Sequence, residues 1–293
     1  MSNVVNDQYP GKNPAEMSNA ELAQLAAQNY QSENPNTPKS NYQFPTEIVD
    51  LPSKGLLYPE GNPLRSGKVE MKYMTAKEED ILTTQSYIKQ GVVLDKLFQS
   101  LIVGNGLGER INYNDLLVCD KNAIMIAARV LGYGKDYEVE IETPSGNKQK
   151  ETIDLTQFSE LPLEESLYTN GNRFAFELPF SKRNVVVKCL THKDTQDIDA
   201  EIRGMKKVAN GVDNTLSTRL FYSILSVDGN EKREFIRNFI NNEMLAIDSR
   251  ALRSYIKQIT PDLDLNLDLI DRESGEPFRS SLPIGVDFFW PSV

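Results

Sequence analysis

Apolar and polar positions along this chain run through one succession of patterns twice. Alternation of period two from Lys68 to Met74 predicts a strand, and Val185-Val-Val187 predicts its echo. Each run ends in the spacing of a helix-capping box, Thr75-Ala-Lys-Glu78 and Thr191-His-Lys-Asp194. Helical periodicity follows. Val93, Leu94, Leu97, Phe98, Leu101 and Ile102 form one apolar stripe. In the second passage the stripes are Ile198, Ile202, Met205 and Ala209, then Leu216, Leu220 and Ile224, then Phe235, Ile236, Phe239 and Ile240. Asp120 and Asp248 each stand where an acidic N-cap would open a further helix, the second burying Leu252, Tyr255, Ile256 and Ile259. Both passages close on an alternating hairpin. One runs from Tyr137 through Ser145-Gly146 to Leu155, the other from Leu263 through Ser274-Gly275 to Leu282.

The echoes lie 116 positions apart at the caps (Thr75 to Thr191) and 128 apart at the aspartates (Asp120 to Asp248). A spacing above about 100 residues points to a doubled unit rather than to a solenoid. The expected fold is α+β, with two tandem, structurally similar domains at 69–160 and 184–284. Each holds a strand, several helices and a terminal β-hairpin, and a linker and strand at 161–183 joins them. Residues 46–68, where Pro and Gly recur every few positions, read as an extended arm. Residues 1–45 are rich in Asn, Gln, Pro and Ser and read as a flexible N-terminal tail. Within it Glu16–Tyr30 places Leu22, Leu25, Ala26 and Tyr30 on one helical face. Residues 285–293 form an aromatic C-terminal tail.

Composition narrows the function. The 293 residues are 39% apolar and 25% charged, as in globular proteins, with no apolar run long enough to span a bilayer. The start, Met1-Ser-Asn-Val-Val, has neither the basic flank nor the apolar core of a secretion signal. A net charge of −10 with interleaved bases argues against nucleic acid as a partner. Cys119 and Cys189 are too few for a disulfide framework and read as reduced packing residues, in keeping with folding in a cytoplasm.

Candidate chemistry is sparse. His192 is the single histidine; it sits in a capping turn with no nucleophile set beside it by any motif, and an exposed turn residue is expected. Gly104-Asn-Gly-Leu-Gly108 lacks the Gly-Lys-Ser/Thr ending of a phosphate loop and reads as a C-capping turn. The cluster Glu78-Glu-Asp80 complements a helix dipole. No catalytic residue, cofactor, small-molecule substrate or metal is expected, because zinc needs about four Cys or His ligands and the chain has two Cys and one His.

Several stretches, taken in order, resemble the T-even-type bacteriophage baseplate hub family of contractile-tailed phages. They are Leu51-Pro-Ser-Lys-Gly-Leu-Leu-Tyr58-Pro59, Val69 to Asp80, Ser226-Val-Asp-Gly229, Asp248-Ser-Arg-Ala-Leu-Arg253 and Val286-Asp-Phe-Phe-Trp-Pro291. The likeness spans 46–293. It implies a non-enzymatic structural or assembly role in the baseplate hub region, through contacts with other tail, baseplate or tape-measure proteins. The alternative is a tail or hub assembly chaperone that leaves before the virion matures. The implied location is the host cytoplasm during assembly, and the virion tail baseplate for a structural part. The family's hairpin turns resemble a small zinc ribbon with paired cysteines; here Thr143-Pro-Ser-Gly146 and Asp271-Arg-Glu-Ser274 carry no thiol. The residues expected at partner contacts are Leu51, Leu56 and Tyr58 of the arm, and Phe288, Phe289 and Trp290 of the C-terminal aromatics, with docking on their own chain as the other possibility.

Overall fold

The strand expected near residue 70 forms as β2 (Lys68–Lys72), with Val69 and Met71 fully buried. The computed structural model describes residues 45–208 and 214–289, so the tail at 1–45 but for Pro45, with its Glu16–Tyr30 stripe, lies outside the described residues, as do Ala209 and Trp290. β2 is the middle of an antiparallel sheet, with β1 (Thr46–Asp50) on one side and β3 (Ile102–Gly104) on the other. The extended arm is therefore corrected: its first residues are an edge strand of the first sheet. The chain reverses at Lys54-Gly55, both at positive φ, where a Cβ on Gly55 would lie 2.2 Å from the Arg65 carbonyl oxygen. Glycine is required there.

Helices α1 (Ala76–Thr83), α2 (Gln85–Gln90) and α3 (Val93–Leu101) lead from β2 to β3. Then α4 (Lys121–Tyr133) buries Ile124, Ile126, Ala128 and Leu131 before the hairpin of β4 (Asp136–Glu142) and β5 (Lys148–Asp154). Tyr137, Val139 and Ile141 face inward, as their alternation requires.

The second passage follows a similar course, with two helices instead of three between its central and third strands and one more helix after them. β6 (Phe174–Glu177), β7 (Asn184–Val187) and β8 (Ile224–Val227) make a sheet with β7 central. α5 (His192–Val208) and α6 (Thr215–Ser223) lead from β7 to β8. α7 (Arg233–Asn238), a π turn at Phe239–Glu243 and α8 (Ala246–Ile259) precede the hairpin of β9 (Asn266–Ile270) and β10 (Pro277–Ser281). Details recur as well. Both central strands are irregular at the same step, Glu70/Met71 and Val186/Val187. Lys72 reaches Glu78 at 2.8 Å and Lys188 reaches Asp194 at 2.7 Å.

The halves share one core, and the described residues from Pro45 to Phe289 form one compact unit. Their seam is a short antiparallel pairing in which the Val118 amide donates to Leu190 O (2.9 Å) and the His192 amide to Leu116 O (2.7 Å). Two stripes ended too late. Ile102 and Ile224, read as the last apolar positions of helices, are the first residues of β3 and β8. The helix stops one residue earlier in each half, and a β-branched side chain continues the buried face in extended form.

Candidate protein interface

Four of the six expected contact residues are sealed inside their own chain. Leu51, Tyr58, Phe288 and Phe289 are buried and Leu56 is half-buried. Phe288 lies edge-on to Tyr137 at 4.8 Å between ring centroids, Phe289 sits 6.4 Å from Phe98, and the Arg129 Nε–H donates to the Phe288 carbonyl at 3.1 Å. These aromatics close the first half's core. Of the five that are described, Leu56 alone is in part left facing solvent, and Trp290 lies outside the described residues.

The burial of Tyr58 has a polar cause. Its hydroxyl donates to Asp120 Oδ2 (2.7 Å) and accepts from the Leu117 amide (2.9 Å). Asp120 also accepts from the Ser53 amide (2.9 Å) and hydroxyl (2.8 Å). Asp120 was expected to cap α4; instead its side chain crosses to the β1–β2 turn. Burial raises its pKa, while the Tyr58 and Ser53 donors pull the other way. Burial and Asp120 together push the Tyr58 phenol far up, so it stays a donor. Asp248 repeats the arrangement from within the first turn of α8, accepting from the amides of Phe180 (2.9 Å) and Ser181 (3.0 Å). The two bound turns, Leu51-Pro-Ser-Lys54 and Leu178-Pro-Phe-Ser-Lys182, are themselves an echo, with both lysines at positive φ. A tertiary brace replaces the expected N-cap in each half.

His192 is buried rather than exposed. Lys121 Nζ lies 2.9 Å from its Nδ1, Gln196 Nε2 lies 3.0 Å from its Nε2, and Tyr113 packs edge-on at 4.6 Å. Burial and the Lys121 charge lower its pKa, against the weaker pull of Asp95, which keeps it neutral. This cluster ties α3, α4 and α5 together. Cys119 and Cys189 flank the seam as buried free thiols, their pKa values raised chiefly by burial, so neither is a ready nucleophile. The Gly104–Gly108 segment is not a helix cap but the exit from β3: Asn105 Oδ1 accepts from the amides of Leu107 (2.9 Å) and Glu109 (3.2 Å).

The two hairpin tips meet. Ser145 donates to Asp271 at 2.5 Å, Asn147 bonds Glu273, and the Gln149 amide nitrogen donates to Ile270 O at 2.9 Å while its oxygen accepts from Arg272 N at 3.1 Å. These thiol-free turns are latched to each other by hydrogen bonds. Among the described residues, no group of three or more His, Cys, Asp or Glu is placed to hold a metal ion. No helix among them is long and apolar enough to cross a membrane.

Among the described residues, an apolar groove of about 500 Å³ lies open between β1 and α4. Ile48 and Val49 form one wall; Ala123, Ile126, Ala127 and Val130 form the other. Its end is closed by Leu155, Phe158 and Leu263. At Phe158 the groove passes into a cleft between the hairpins, lined by Asp136, Asp154, Asp264 and Asp268. Lys135 pairs with Asp154 at 2.7 Å, and Arg279 approaches Asp264 at 3.4 Å and Asp268 at 3.8 Å, leaving four carboxylates against two cations. Lys135 and the Thr156 donors hold Asp154 at a pKa of about 2. Sequence reading missed this surface. Its signal was available, since carrying the 128-residue offset from Asp120 along α4 sets Ala127 against Tyr255. Comparison with family models, curated proteins and solved structures gives no significant match to the chain.

Proposed function

We propose that the chain is a non-enzymatic component of the baseplate hub region of a contractile phage tail, working through protein–protein contacts. The supporting observation is where the resembling stretches fall: they occupy the joints of the architecture. Leu51–Pro59 forms the turn that wraps Asp120, and Val69–Asp80 forms β2, its cap and the start of α1. Asp228 of Ser226–Gly229 accepts from the Asn184 amide at 2.8 Å and closes the second sheet. Asp248 braces the β6–β7 turn, and Phe288-Phe289 plug the first half. A likeness spread over several joints of both halves concerns more than one isolated motif. The recurrence of brace, cap and strand irregularity supports descent from a doubled unit. The groove and cleft supply a surface for a neighbour.

The second reading is an assembly chaperone for the hub. Quantitative mass spectrometry of purified particles and of assembly intermediates separates the two. Stoichiometric presence in particles supports the structural role, and presence only in intermediates supports the chaperone. Absence from both sinks the tail-assembly proposal altogether.

A further inference from the structure

The second half shows what the groove of the first half lacks. Val49 pairs with Val69 across the first sheet, and Phe176 pairs with Val185, the echo of Val69, across the second. Ala127 and Tyr255 stand seven residues after the bracing aspartates Asp120 and Asp248. Val49 and Ala127 are thus the counterparts of Phe176 and Tyr255. In the second half these aromatics stack across the space between β6 and α8, 4.4 Å between centroids and 19° between planes. The Tyr255 hydroxyl donates to the Ala175 carbonyl of the edge strand at 3.1 Å. In the first half the same space is open, because Val and Ala occupy both places, and Ile48, the counterpart of Ala175, is 46% exposed. One copy of the framework is filled by its own tyrosine; the other keeps the slot and omits the ring.

We propose that the β1–α4 groove receives a tyrosine or phenylalanine from an extended segment of a partner protein, with basic residues beside it that lie over the Asp136–Asp154–Asp264–Asp268 cleft. This names the partner chemistry within the protein-contact reading above and rests on it. The aromatic is specified by the internal template, where β-sheet edge and helix already accept a ring in that position. The basic residues are specified by charge, since the groove runs directly into carboxylates that outnumber their cations. Stacked aromatic pairs contribute beyond the area they bury, and aromatic anchors dominate protein interfaces. Desolvated apolar walls next to a charged rim supply both an anchor and an orientation.

The test uses the full chain and a peptide array carrying one central Tyr flanked by Lys, with matched sets that replace Tyr by Ala or Lys by Glu. The expected result is binding of the Tyr–Lys set only, weakened by added salt. Ala127→Tyr, which fills the groove from within as Tyr255 does in the other half, should weaken that binding about tenfold or more. Should that variant misfold, Ile48→Lys on the exposed edge strand is the second probe, with the same loss expected. Equal binding of the Glu-flanked set, binding indifferent to both variants, or no binding by any set overturns the proposal. So does a dimer of the free chain that Ala127→Tyr dissociates, for the groove would then belong to a second copy. Absence of the chain from particles and intermediates would leave these peptide results untouched, so the two readings fail separately.

Discussion

Replacing Tyr58 by Phe removes one oxygen and two buried hydrogen bonds. Asp120, fully buried, loses a 2.7 Å donor, and the Leu117 amide loses a 2.9 Å acceptor. A hydrogen bond to a charged group contributes about 1.5–3 kcal/mol, and a stranded buried amide costs about 1–3 kcal/mol, so a loss of about 3–5 kcal/mol is expected. The ring still packs, so no cavity adds to it. Asp120 keeps both Ser53 donors, which places the loss below that of removing the carboxylate. In urea, with a slope of about 3 kcal/mol per molar for a chain of this size, the midpoint should fall by about 1–1.7 M. Tyr255→Phe is the control: its hydroxyl bond to Ala175 is exposed, and its midpoint should stay within about 0.3 M. The deficit of Tyr58→Phe should also shrink at lower pH. A group whose pKa is raised on folding favours the protonated form, and a protonated Asp120 needs fewer donors. A Tyr58→Phe midpoint indistinguishable from that of the control would refute the idea that this brace holds the β1–β2 turn.

Acid sensitivity should trace in part to Glu78. Burial opposes its ionisation, but Lys72, Thr75 and Ser100 outweigh that and hold it at about 2 against an ordinary 4.5. The stabilisation is complete above the ordinary value and is lost as pH falls towards 2. Thermal melts between pH 2 and 6 should show a shallower acid limb for Glu78→Gln, and parallel limbs would disprove it. Phe288→Ala and Phe289→Ala should each cost about 3–5 kcal/mol, with non-additivity in the double variant because the rings lie 5.6 Å apart. An unchanged urea midpoint in either single variant would mean that these rings do not close the core.

Local rules made much of the fold legible. Alternation marked both hairpins, and the spacing of Thr75–Glu78 and Thr191–Asp194 marked where helices begin. The errors share one cause, long-range partners that a linear pattern does not carry. Asp120 and Asp248 looked like caps because they stand at helix starts, yet the donors to their carboxylates are 62 to 68 residues away. His192 looked exposed because its turn is polar, but Lys121 and Tyr113, from the other half, enclose it. The arm looked extended because Pro and Gly forbid helix; the same residues equally permit a tight reversal between two strands. The open groove was missed for a different reason. It is defined by what Ala127 lacks relative to Tyr255, and only superposing the two halves exposes a missing ring.

The plug formed by Phe288 and Phe289 couples folding to synthesis. The Arg129–Phe288 contact joins residues 159 apart, so the slot between Phe98 and Tyr137 stays empty until position 289 has been translated. Such a late, non-local closure is slow, and until it happens the nascent chain carries an oily gap that chaperones and proteases can sense. Truncation before Phe288 is therefore expected to leave the slot beside Phe98 and Tyr137 open.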